Sequence, residues 1–127
     1  MQFEPSNKPV GITRIYLAFK NSCRAFNWLI KNEAAVRQEI VLLLINLVLI
    51  SVWSITVYEK LLLLCAVLFL LFAEVINTAI EVTIDRIGYE INPLSGLAKD
   101  LGSAAVLIAT LIYTCVLASI LYVNFLE

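Results

Sequence analysis

The sequence has no histidine, and its 127 residues include only four glycines, three prolines and three cysteines. Cys23, Cys65 and Cys115 lie far apart in apolar surroundings and form no CxxC pair, so with histidine missing no zinc site is expected. The thiols read as small hydrophobes. Gly11, Gly88, Gly96 and Gly102 fit neither GxxxxGK[ST] nor GxGxxG, so both familiar glycine-rich phosphate loops are missing. Charge is scarce too: 15% of residues are charged and the net charge is −1, which speaks against nucleic acid as a partner. The first 33 residues hold no apolar core of the kind a signal peptide needs, so no cleavable signal is expected. No internal repeat or low-complexity segment is visible.

What is abundant is apolar surface. Hydrophobic residues make up 61% of the chain, and the mean hydropathy is +0.92. A soluble domain of this length needs a polar shell that this composition does not supply. Three apolar stretches, 34–53, 61–84 and 104–125, each approach or exceed the ~20 residues that cross ~30 Å of hydrocarbon as a helix. Lipid cannot satisfy exposed backbone groups, so helices are the default. The expected fold is all-α: one membrane domain over 1–127, with transmembrane helices at about 34–53, 61–86 and 101–125.

Basic residues set the orientation. Lys8, Arg14, Lys20, Arg24, Lys31 and Arg37 precede or open the first span, Arg86 and Lys99 lie in the second loop, and only Lys60 of the nine lies in the first. Three spans place those eight on one side, so the N-terminus and second loop are expected in the cytoplasm and the C-terminus outside.

Residues 1–10, with Pro5 and Pro9, read as an irregular tail. From about 12 to 32 a helical pattern places Arg14, Lys20, Asn21, Arg24, Asn27 and Lys31 on one arc and Ile15, Ala18, Phe19, Phe26 and Ile30 on the other. Such a basic amphipathic helix before a span is expected to lie along the cytoplasmic membrane surface. The 54–60 loop looks short and featureless. In the 86–100 loop Gly88 is expected to end a helix, Asn92-Pro93 to mark a turn, and Ser95-Gly96 to precede the next helix. Gly102-Ser103-Ala104-Ala105 opens the third span with small residues that permit close helix approach.

The strongest chemical signal lies in the second span. Glu74, Asn77, Glu81 and Asp85 have helical offsets that project at roughly 0°, 300°, 340° and 20°, one narrow polar stripe. Glu74 falls inside the hydrocarbon, while Glu81 and Asp85 fall near and beyond its cytoplasmic boundary. An ionised carboxylate at depth costs on the order of 2.5 kcal/mol or more. A carboxylate tuned between desolvation and a nearby cation suits a general base. Interhelical glue is the plainer role, but three acids in register repel unless something positive joins them. Mg²⁺ is the obvious candidate, because hard oxygens bind it well. A second group, residues 32–39, contains Glu33 and Arg37 four apart, which could pair on one helical face. A third is Lys99-Asp100 with Ser103 one turn on. Acids suit Mg²⁺ and basic groups suit phosphates, and phosphoryl transfer mainly needs positioning, metal and countercharge.

These segments (NEAAVRQE at 32–39, EVINTAIE at 74–81, DRIG at 85–88 and LSGLAKDLGSAAV at 94–106) resemble the bacterial integral-membrane diacylglycerol kinase family, in order and spacing from about Gly11 onward. The resemblance implies three transmembrane helices plus a surface amphipathic helix, assembled as a homotrimer with shared active sites in the bacterial inner membrane. It implies transfer of the ATP γ-phosphate to diacylglycerol with Mg²⁺, giving phosphatidic acid. By motif, Glu74 matches the catalytic base, and Glu33 and Glu81 match the metal ligands. Arg14, Asn21, Glu33, Asn77, Glu81, Glu90, Lys99 and Asp100 match ATP-site positions. Arg14, Ala35, Glu39, Glu74 and Ser103 match substrate-side positions. Asn21 stands where the family carries a tyrosine, and Asn92-Pro93 replaces a His-Glu pair. A sister branch phosphorylates undecaprenol, but the Glu33–Glu39 motif is more like the diacylglycerol branch.

Two readings from other classes compete. A proton- or cation-coupled transporter with Glu74 as carrier needs an exit path, yet the outer half of each span is apolar apart from Asn46 and scattered Ser and Thr. In a structural or assembly subunit the polar motifs would be incidental.

Overall fold

A computed structural model describes residues 9–126, in which all regular structure is helical. The order is α1 (Ile12–Asn32), α2 (Ala34–Val52), α3 (Val57–Ile87) and α4 (Pro93–Phe125). Pro5 and Lys8 of the expected tail lie outside the described residues. The chain divides into two compact units, one up to Ala34 and one from Ala35 on.

The first unit is essentially α1. It starts at Gly11, whose φ of 65° is a left-handed conformation that glycine adopts without a Cβ penalty, and Arg14 N donates to Gly11 O at 3.2 Å. Lys31 in the last turn complements the helix dipole. The helix stops at Glu33, which is extended (φ −109°, ψ 116°), its N–H donating to Leu29 O at 2.8 Å. Glu33 therefore lies outside any helix, and the continuous face expected to carry it with Arg37 is broken there.

In the second unit, α2, α3 and α4 are each long and apolar enough to cross a membrane. α3 and α4, of 31 and 33 residues, reach about 46 and 50 Å at 1.5 Å per residue, well beyond a ~30 Å hydrocarbon core. They form an antiparallel hairpin pinned at both ends. Asn124 Nδ2 near the end of α4 donates to Glu59 Oε1 in the first turn of α3 at 2.9 Å. At the other end, Lys99 Nζ donates to Asp85 Oδ1 at 2.6 Å.

Leu63, Ala66 and Val67 of α3 recur at helical spacing and bury against Tyr113 and Ile120 of α4, with Leu42, Leu43 and Ile50 of α2 packed on this core. Leu70 and Ala73 continue it against Ala109. Where lipid is as apolar as leucine, such packing and interhelical hydrogen bonds hold helices together. Two such bonds join one pair of side chains across α2 and α4. Asn46 Nδ2 donates to Tyr113 Oη at 2.9 Å, and Tyr113 Oη donates to Asn46 Oδ1 at 3.2 Å.

The expected spans 61–86 and 101–125 sit inside longer helices, because two start signals reach further back than hydropathy does. Thr56 and Glu59 form a capping box, so α3 begins at Val57 and the supposedly featureless loop shrinks. Asn92 is an N-cap whose Oδ1 accepts from Leu94 N at 2.8 Å, and Pro93 opens α4. Asn92-Pro93 is thus a helix start rather than a turn, and Ser95-Gly96 lies within α4. Gly88 does end α3.

Candidate functional site

α3 carries its polar stripe from the packed interior out to the α3–α4 loop. Glu74 and Asn77 are buried, each with 8% of its surface exposed; Glu81 is half-buried and Asp85 exposed. The order follows the helix rise, so position along α3 grades one side of a single helix from apolar to polar surroundings. Thr78, overlooked in the sequence, is more buried still, at 3%. Its offset of four from Glu74, roughly 40° on the projection, places it on the same arc.

Glu39 of α2 is buried and lies within electrostatic range of Glu74. Two acids from two helices thus share one buried level. Among the described residues Glu39 Oε2, Asn77 Oδ1 and Thr78 Oγ1 are buried with no hydrogen-bond partner. Each such atom costs about 1–3 kcal/mol relative to a satisfied one. Buried polar atoms left unpaired are few in native proteins, so three of them on α2 and α3 mark this region as one that needs an explanation.

One turn toward the loop, Asn77 Nδ2 donates to Glu81 Oε1 at 3.1 Å. Beyond it Lys99 and Asp85 pair, their side chains 40% and 56% exposed. An open cavity of about 290 Å³ lies here, lined by Asp85, Gly88, Glu90, Asn92, Ser95 and Lys99 among others. Glu90, Lys99 and Asp85 therefore line one hollow at the loop end, together with Ile84, Tyr89 and Ile91. Asp100 and Ser103 lie on α4 and are exposed, Ala35 is half-buried at the start of α2, and Arg14 and Asn21 sit exposed on α1. Asn21 Oδ1 accepts from Arg24 at 3.3 Å. Of the small residues opening the third span, Gly102 alone is buried; Ser103, Ala104 and Ala105 are exposed.

No three His, Cys, Asp or Glu side chains converge into a metal cage among the described residues. That is no obstacle to Mg²⁺, which is commonly held by one or two carboxylates plus substrate phosphates and water. Glu81, half-buried and accepting from Asn77 Nδ2, offers the hard oxygens such an ion takes.

The family model for prokaryotic diacylglycerol kinase matches residues 20–121. The chain belongs to that family. Among relatives, the diacylglycerol kinase of Escherichia coli (strain K12) is 38% identical over 120 residues, covering 94% of this chain and 98% of that protein. That of Pseudomonas aeruginosa is 39% identical over 124 residues, covering 95% and 98%. That of Haemophilus influenzae is 38% identical over 115 residues, covering 91% and 98%. This family member thus matches those relatives over nearly their whole length, the stripe, the loop cavity and the α4 start included.

Proposed function

We propose that this protein is an ATP-dependent lipid kinase that phosphorylates diacylglycerol to phosphatidic acid at the cytoplasmic face of the bacterial inner membrane. The observation that carries it is the graded stripe of α3: a buried Glu74 beside orphaned polar atoms at one end, and the Asp85–Lys99 pair at the other. A lipid hydroxyl arrives from the bilayer and a nucleotide from water, and only a site spanning both levels serves both. Family membership and relatives named diacylglycerol kinase support the substrate assignment.

In this mechanism Glu74 accepts the proton of the lipid hydroxyl as its oxygen attacks the γ-phosphorus. The new O–P bond forms, the bond to the β–γ bridging oxygen breaks, and ADP leaves with that electron pair. Glu39, with Ala35 and Ser103, serves the lipid side. Asn77, Glu81, Glu90, Lys99 and Asp100 serve the nucleotide; Arg14 and Asn21 match nucleotide positions by resemblance alone. Glu81 and, by resemblance, Glu33 are the carboxylates assigned to Mg²⁺, which when bound supplies countercharge to the phosphates. α1 is taken as a surface helix, basic face outward, and the active assembly as a homotrimer with the N-terminus cytoplasmic and the C-terminus periplasmic.

The test is a mixed-micelle assay with labelled ATP, Mg²⁺ and diacylglycerol, with undecaprenol supplied in parallel. Phosphatidate formation is expected from the wild type and its near-complete loss in Glu74→Gln. Equal rates for both proteins remove Glu74 as the base, and preferential labelling of undecaprenol moves the protein to the sister specificity.

A further inference from the structure

Gly102 occupies an unusual place in the α3–α4 contact. It is the one glycine whose missing side chain makes room for a neighbour: a methyl there would run into Asn77 Oδ1 and sit only 3.3 Å from Asn77 Cγ. Gly88 and Gly96 meet nothing comparable. The amide it faces is itself constrained. A carboxylate accepts hydrogen bonds and does not donate them, so Asn77 turns Nδ2 toward Glu81. That turns Oδ1 to the opposite side, against Gly102. There Oδ1 is buried and finds no N–H or O–H partner. A glycine Cα hydrogen is the only donor such a contact offers, a weak one of a kind known at close helix crossings.

We propose that Gly102 is a positioning residue for the nucleotide end of the site. Its bare Cα leaves the space in which the Asn77 amide keeps Nδ2 on Glu81, and so holds the Glu81 carboxylate in the orientation that receives Mg-nucleotide. The proposal rests on the kinase function above. It assigns to Gly102 no contact with substrate; Gly102 acts through Asn77. The overlap in an alanine variant falls on the far end of a side chain that can rotate. Gly102→Ala is therefore expected to fold, with Asn77 swung off Glu81 rather than the helices forced apart.

Four proteins decide it: wild type, Gly102→Ala, Asn77→Ser, and the double variant. Each is assayed for MgATP and diacylglycerol KM in mixed micelles and for MgADP affinity by calorimetry. Losing an outer-shell hydrogen-bond partner at a metal site costs ~10–100-fold in affinity. Gly102→Ala is expected at the lower end of that range, a MgATP KM raised about 10-fold and MgADP binding weakened to match. The diacylglycerol KM should change by less than about twofold. Asn77→Ser should weaken nucleotide similarly, and adding Gly102→Ala to it should do nothing more, because the group displaced is already gone.

Independent, multiplying effects of the two substitutions would mean Gly102 serves only helix packing and would overturn the proposal. So would a Gly102→Ala protein with wild-type nucleotide affinity, or an Asn77→Ser protein with none of the loss. Should Gly102→Ala alone fail to fold, Asn77→Ser against the double variant still decides, since serine relieves the overlap. A wild type that makes no phosphatidate would refute the kinase function itself. An active wild type with an unaffected Gly102→Ala refutes only the role of Gly102.

Discussion

The three-helix unit buries polar side chains at two levels and treats them in opposite ways. Midway along α2 and α4, Asn46 and Tyr113 satisfy one another: the amide donates to Leu42 O at 2.8 Å and to the tyrosine hydroxyl, which donates back. Nearer the α3–α4 loop, Glu39, Asn77 and Thr78 each keep a buried oxygen without a partner. Both levels lie in apolar surroundings, where an unsatisfied polar atom is costly. Natural cores leave few such groups unpaired, and each one that remains calls for an explanation. The Asn46–Tyr113 pair is closed and reads as interhelical glue. The Glu39–Asn77–Thr78 level keeps unpaired oxygens beside Glu74 and, on the kinase function, reads as the substrate level.

The largest effect that can break this contrast is catalytic. Removing a positioned general base costs ~10²–10⁴-fold. Glu74→Gln should lower kcat by that much while the thermal unfolding midpoint holds or rises, because a buried acid is replaced by a neutral isostere. An active Glu74→Gln, or one that merely unfolds, would reduce the open level to another form of glue. Glu39→Gln should follow with a smaller loss, about 10-fold in kcat/KM for diacylglycerol, or ~1.4 kcal/mol. Its MgATP KM should stay near wild type. A loss confined to MgATP would put Glu39 at the wrong end of the site.

How far the sequence foresaw this contrast depends on the range of the interaction. The stripe was legible because Glu74, Asn77, Glu81 and Asp85 obey one local period, and the three spans because hydropathy accumulates locally. Helix starts were legible in principle. Thr56 and Glu59 spell a capping box and Asn92-Pro93 an N-cap with proline at N1, but hydropathy runs hide such polar signals at their edges. Asn46–Tyr113 was not legible: the partners are 67 positions apart, and only helix packing chooses them. Gly102 likewise read as one of four small residues until α3 placed Asn77 against it alone. Glu33 misled through an assumed continuous helix, where an extended residue separates α1 from α2.

The closed level predicts stability without activity. Tyr113→Phe leaves Asn46 Oδ1 unpaired and should cost about 0.6 kcal/mol and no more than about 1.7, the average and the maximum for interhelical hydrogen bonds in membranes. Activity per folded protein should be unchanged, since the pair touches no reacting group. Reversible unfolding in mixed micelles, read beside the specific activity of the folded fraction, checks both. A drop in specific activity would tie the two levels together and end the division.

The smallest effect tests the outermost part of the site. Lys99 and Asp85 form an exposed pair, and such pairs contribute about 0–1 kcal/mol. Asp85→Asn should therefore destabilise the nucleotide-free protein by roughly 0.5 kcal/mol or less, an effect that fades in 1 M salt as screening shortens to ~3 Å. Its consequence for nucleotide has the opposite sign. If Lys99 moves from Asp85 to a phosphate on binding, the wild type must first give up the ion pair, and the variant need not. By linkage, whatever the pair stabilises in the free protein is returned as affinity in the variant, so MgADP should bind up to about twofold tighter. A pair that only staples α3 to α4 would lose the same stability with and without nucleotide, leaving affinity where it was. Calorimetry on Asp85→Asn at low and high salt separates these outcomes, and unchanged affinity at low salt would take Lys99 out of the nucleotide site.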